Sequence, residues 1–110
     1  MGEYALGVVD PTLCKIATGL GGGVGGTHQE LCGALSGGVL LLGALHGRSE
    51  ADTSDDLCMH LAGEYRTRFA RELGSTHCGT LRERGFGGTI PCSVLVERAS
   101  KVLLELLAEV

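Results

Sequence analysis

The placement of glycine beside cysteine constrains this chain more than any other feature. The run Gly21-Gly22-Gly23-Val24-Gly25-Gly26 is followed closely by Cys32-Gly33-Ala34-Leu35-Ser36-Gly37, and Cys78 and Cys92 answer far downstream. A helix that carries Gly33, Gly37, Gly38 and Gly43 gives up roughly 1 kcal/mol per glycine relative to alanine. Two gains can offset that loss. One is close approach of another backbone segment, with Gly33 and Gly37 forming the groove; the other is access to Cys32. Thiols held beside closely packed backbone point to sulfur chemistry.

The chain has 110 residues, enough for one hydrophobic core, and nothing in it marks a second domain. Its formal charge is -4, with acidic residues around Asp52, Asp55 and Asp56 and basic ones from Arg66 to Arg84. Nucleic acid needs a basic face, so it is not an expected partner. The most apolar stretch, Leu31 to Leu45, is short and interrupted by four glycines, which suits a buried helix rather than a membrane span. The opening Met1-Gly2-Glu3-Tyr4 lacks the basic and apolar pattern of a signal peptide, which makes a reducing cytoplasm the expected location. Five cysteines (Cys14, Cys32, Cys58, Cys78, Cys92) leave one unpaired in any full disulfide framework. Catalytic, metal-binding or buried thiols are therefore expected ahead of structural bridges.

Local signals predict helices only. Pro11 suits the first turn of a short helix through Leu20, which the glycine run stops. Thr27 and Glu30 have capping-box spacing and predict a helix from about His28 to His46, with Gly47 as its end. Asp52 and Asp55 repeat the device before Leu57, Leu61, Tyr65, Phe69 and Leu73, an apolar face closed by Gly74. A short helix is expected within Ser75 to Arg84, beginning near Cys78. After Pro91, the residues Leu95, Ala99, Val102, Leu106 and Val110 mark one helical face, widened by Val96, Leu103 and Leu107. No segment sustains a period of two. The expectation is one all-α domain over residues 1–110, with four or five helices in bundle-like or orthogonal packing.

Each cysteine has its own reading. Cys32 is placed about a turn into its helix and Cys92 in or just before the first turn of the last one, where the helix dipole favours a thiolate. Cys58 has the apolar neighbours of a packing residue, and Cys14, between Leu13 and Ile16, reads as buried or as a fourth sulfur of the site. Cys58-Met59-His60 and His77-Cys78 offer zinc-type ligands, but without the spacing of a zinc module. The glycine run satisfies Gly-x-Gly-x-x-Gly literally. No strand precedes it, so it reads as a sharp turn lying close to the next helix and not as a dinucleotide site.

The run Leu20-Gly21-Gly22-Gly23-Val24-Gly25, then Leu31-Cys32-Gly33-Ala34-Leu35-Ser36-Gly37, then Leu42-Gly43 and Gly47, resembles the C_GCAxxG_C_C family of redox-active proteins. Cys78 and Cys92 fall in the family's order, and the likeness runs from about residue 5 to the C-terminus. The resemblance implies a helical domain whose four cysteines act in redox chemistry. A related region lies beside haem in split-Soret cytochrome c, but this chain has no Cys-x-x-Cys-His, so haem is not implied. By motif, Cys32, Cys78 and Cys92 match the second, third and fourth family cysteines. The first belongs to a helix well before the triple glycine, whereas Cys14 stands seven positions before Gly21. That helix reads as missing: the chain is shortened at its start, Cys14 has taken over the role, or three cysteines suffice.

The expected function is thiol–disulfide exchange or electron transfer with a redox partner protein, carried by Cys32, Cys78 and Cys92 as a spatial cluster with Cys58 apart. The first alternative is an iron–sulfur or other metal-binding protein with Cys32, Cys78, Cys92 and Cys14 as ligands. The second is a non-enzymatic helical interaction domain, such as a homodimer, with inert buried cysteines.

Overall fold

The computed structural model describes Gly7 and residues 9–110; the opening Met1 to Tyr4, read above for a leader pattern, lies outside the described residues. Among the described residues five α-helices follow one another: α1 Pro11–Ala17, α2 Gly33–His46, α3 Asp56–Leu73, α4 Cys78–Glu83 and α5 Cys92–Ala108, with a 3-10 turn Thr18–Leu20 after α1. Among the described residues there is no sheet, only isolated bridges at Leu31–His77 and Phe86–Ile90. The chain is all-α, as its periodicity predicts. No helix among these residues is long and apolar enough to cross a membrane.

The core is the triangle of α2, α3 and α5, each packed on the other two. Leu61, Tyr65, Phe69 and Leu73 recur every fourth residue on α3 and are all buried, while Leu57, predicted for the same face, is 48% exposed at the helix start. From α5, Leu95, Ala99, Val102, Leu103 and Leu106 are buried. Full burial of one such leucine or aromatic side chain stabilises the fold by about 1.5–3 kcal/mol, so these three stripes carry most of it. By contrast, α1 buries no residue.

Tyr65 joins all three core helices. Its hydroxyl reaches the carbonyls of Ala34 on α2 and Ala99 on α5, each at 3.4 Å, and its ring meets Phe69 edge-on at 6.0 Å between centroids. The ring lies close against Gly38, where an added Cβ would sit 2.9 Å from the ring's Cζ. Gly33 also meets backbone as expected, its absent Cβ pointing 3.2 Å from Gly21 Cα. Gly37 does not. A Cβ there would have nothing within 4 Å, because this side of α2 opens on a cavity instead of a neighbouring segment.

Two helix starts differ from expectation. The Thr27–Glu30 box does not form, and α2 begins at Gly33 rather than His28. The Thr27 hydroxyl turns back to the carbonyls of Gly23 and Val24 (2.8 and 2.9 Å), and residues 30–32 pair with 76–78 instead of coiling. Cys32 is thus the N-cap residue of α2, not a residue inside it. The Asp52–Asp55 box fails as well: the Asp55 carboxylate faces Arg48 at 3.4 Å, and the Asp56 N–H donates to Ser54 Oγ at 3.2 Å. The predicted stops hold, with Gly47 capping α2 and Gly74, at φ +91°, capping α3.

Chemical denaturation separates the two adjacent glycines of α2. Gly38→Ala forces its methyl into the Tyr65 ring and is expected to destabilise by about 1–3 kcal/mol, whereas Gly37→Ala should be neutral or gain up to about 1 kcal/mol from helix propensity.

Burial pushes the Tyr65 phenol up from 10.0 to about 12, with an ionised Cys32 adding to the rise. The folded state holds this proton more tightly than the unfolded chain, so the stability it contributes is complete below pH 10 and is lost as pH climbs towards 12. In alkaline unfolding followed by circular dichroism, Tyr65→Phe should show a shallower decline over that window, at a cost near neutrality of about 1 kcal/mol for the lost hydrogen bonds.

Candidate functional site

Three of the helices begin with, or are capped by, a cysteine at one place. Cys32 caps α2, Cys78 is the first residue of α4 and Cys92 the first residue of α5. All three line a single pocket of about 270 Å³, together with Gly22, Arg82 and Phe86 among others. Free N–H groups and the positive end of the dipole gather at helix starts, an environment that favours a sulfur anion. The three differ in access: Cys32 is 8% exposed, Cys78 is half-buried and Cys92 is exposed.

A short antiparallel pairing holds Cys32 beside Cys78. The Cys32 N–H donates to Thr76 O at 2.8 Å and the Cys78 N–H to Glu30 O at 2.9 Å, around the Leu31–His77 bridge. His77 fastens the pairing through both ring nitrogens. Nε2 donates to Gln29 O at 2.8 Å, and Nδ1 accepts the Thr80 N–H at 3.2 Å as the cap of α4.

The glycine run forms the adjoining wall. Gly22, Gly23, Val24, Gly25 and Gly26 all have φ between +61° and +72°, the left-handed region that costs an L residue about 1–2 kcal/mol. The coil closes on itself through Gly25 N–H to Gly19 O (2.8 Å) and His28 N–H to Gly22 O (2.9 Å). Its inner residue, Gly23, is buried against Cys78: a Cβ there would lie 2.7 Å from Cys78 Cβ. Across the pocket, a Cβ on Gly87 would lie 3.3 Å from Cys92 Sγ. The run is a packing turn, and among the described residues no strand precedes it.

Burial raises the pKa of the Cys32 thiol. The nearby N–H groups of Ala34 and Leu35 pull in the opposite direction, though the side chain makes no capping hydrogen bond of regular geometry, and charge on Cys78 or Cys92 would raise it further. Desolvation outweighs the helix start, so Cys32 is held as a neutral thiol.

Cys14 and Cys58 lie elsewhere. Cys14 is exposed, contrary to the expectation of burial, because α1 lies on the surface. It opens on a second, apolar cavity of about 280 Å³ lined by Gly37, Gly38 and Tyr65, which shares Gly33, Ala34 and Val96 with the cysteine pocket. The proposed ligand set of Cys14 with Cys32, Cys78 and Cys92 is therefore not assembled. Cys58, half-buried on α3, lines neither cavity, and the zinc-type set of Cys58, His60, His77 and Cys78 is not brought together. Among the described residues no group of three or more His, Cys, Asp or Glu side chains is arranged to hold a metal ion.

Two residues beside these cysteines escape sequence reasoning. His28 places Nδ1 3.4 Å from Cys78 Sγ, and Arg82 is the cation in the wall beside Cys92. His28 was absorbed into a predicted helix, and only the proximity of the glycine run hints at its role.

Substitutions in the coil test this packing. Gly23→Ala meets both the positive φ and the Cys78 side chain, and should lower stability by about 2–4 kcal/mol when strain and overpacking add. Gly25→Ala has open space around it and should cost only the strain, about 1–2 kcal/mol. Equal losses in urea titrations would contradict the close contact.

No curated protein and no solved structure matches the chain significantly. The family model described as "Putative redox-active protein (C_GCAxxG_C_C)" matches residues 1–106, nearly the whole chain. With its glycine coil, its Cys-Gly-Ala helix start and its two downstream cysteines, the protein belongs to the C_GCAxxG_C_C family.

Proposed function

We propose that this protein is a small thiol–disulfide redox protein, in which two of Cys32, Cys78 and Cys92 cycle between dithiol and disulfide in exchange with a partner. The observation that carries this reading is that all three cysteines line one pocket with a gradient of exposure. An accessible thiol attacks one sulfur of the partner's disulfide, forming a mixed disulfide and releasing one partner thiol. A second pocket thiol then attacks the protein's own sulfur and releases the other partner thiol. Two electrons pass to the partner, and the protein gains one internal disulfide. The reverse sequence oxidises a partner dithiol.

Buried Phe86 and Leu95 give the pocket an apolar wall, and Arg82 at its edge suits a partner surface with negative charge.

Equilibration of the protein in thiol–disulfide buffers, followed by acid trapping and peptide mapping, tests the reading. One disulfide within the set Cys32, Cys78 and Cys92 is expected, with Cys14 and Cys58 remaining thiols. Serine at either member of the bridged pair should abolish turnover of a low-molecular-weight disulfide. No bridge within the set would sink the reading, as would colour and metal content in an anaerobic preparation that depend on the same three residues.

A further inference from the structure

Strained backbone and two missing side chains converge on one contact that the exchange reaction above does not use. His28 Nδ1 lies 3.4 Å from Cys78 Sγ. His28 and Val24 are the non-glycine residues with positive φ among those described, and His28 adopts +62°. That conformation is pinned from three sides. The His28 N–H donates to Gly22 O at 2.9 Å. A Cβ on Gly23 would lie 2.9 Å from His28 Cα, and a Cβ on Gly79 would lie 2.7 Å from the His28 carbonyl oxygen. Only glycine at both positions lets the coil and the first turn of α4 close on each other, and that closure seats the imidazole on the sulfur. Strain of this kind persists where the surrounding structure over-determines it, and it clusters at functional sites.

The contrast with His77 is informative. Both its ring nitrogens are spent on backbone, so it holds the pairing together. Cys78 Sγ is the hydrogen-bonding partner recorded for the His28 ring among the described residues, which leaves that imidazole able to take and return a proton.

We propose that His28 is the general base of the site and Cys78 its attacking thiol; this rests on the thiol–disulfide reading. The Cys78 S–H proton passes to Nδ1 as the sulfur attacks one sulfur of a disulfide substrate. A Cys78–substrate S–S bond forms, the substrate's own S–S bond breaks, and the leaving thiolate takes the proton back from the imidazolium. The buried Cys32 then attacks the Cys78 sulfur. Its proton goes to the second leaving thiolate, so the substrate is reduced by two electrons and a Cys32–Cys78 disulfide remains. Cys32 suits the second step because burial shields it from a bulky substrate but not from a neighbour on the same pocket.

The test is alkylation of the fully reduced protein by iodoacetamide at neutral pH, with labelling rates read at each cysteine by mass spectrometry. Wild type is compared with His28→Asn and His28→Gly, both of which accept a left-handed backbone and so preserve the turn. Cys78 labelling is expected to fall at least about tenfold in both variants, since a positioned base contributes at least that much. Cys92 labelling should stay unchanged, and added imidazole should restore part of the Cys78 rate in His28→Gly. An unchanged Cys78 rate, an equal fall at Cys78 and Cys92, or no recovery with imidazole would overturn the assignment. Because no disulfide takes part in this measurement, its failure is distinct from failure to form the internal bridge.

Discussion

The short backbone pairing of Glu30 to Cys32 with Thr76 to Cys78 is the constraint on which the site depends. Two hydrogen bonds, at 2.8 and 2.9 Å, tie together segments separated by almost half the chain. They stop α2 from starting early, leave Cys32 as its cap, and launch α4 at Cys78. Each bond has a modest net worth, about 0.5–1.5 kcal/mol. Their importance is geometric. Without them the two sulfurs would belong to independent helix ends, and the pocket would lose a wall.

The core and the site use glycine differently. Gly38 lets the Tyr65 ring lie on the backbone of α2, which allows the phenol to reach carbonyls on both α2 and α5. Gly23 and Gly79 let backbone approach backbone around His28 and Cys78. The glycines of the coil also adopt a hand that other residues resist. The propensity lost in α2 is thus recovered at Gly33 and Gly38, while Gly37 faces a cavity among the described residues.

Electrostatics within the pocket are uneven, and the unevenness assigns work. Cys32 lies at a helix start, where a thiolate would be welcome, yet burial keeps it protonated. Cys78 has an imidazole beside it, and Cys92 has solvent and a guanidinium nearby. A thiol pair in which one member is accessible and the other shielded favours a directional exchange, with attack from outside followed by resolution from within.

Much of the architecture was legible in the sequence. Period-four apolar spacing on α3 and α5, Pro11 and Pro91 at helix starts, and Gly47 and Gly74 after helices all act within one or two turns of chain, so they need no tertiary partner. The family motif pointed to Cys32, Cys78 and Cys92, but their common pocket follows from long-range pairing that no local pattern encodes. The same pairing overrode the Thr27–Glu30 box, because hydrogen bonds to residues 76–78 took the backbone groups that the first helical turn needed. Cys14 reads from its apolar neighbours as buried or as a fourth sulfur of the site, but it is exposed on a helix that buries none of its residues. Gly37 and Gly38 are indistinguishable in sequence, and the direction of α3 decided which of them meets Tyr65. His28 carried no signal of its own: a histidine after a glycine run becomes a partner for a thiol only when a left-handed coil folds it back onto a helix that starts fifty residues later.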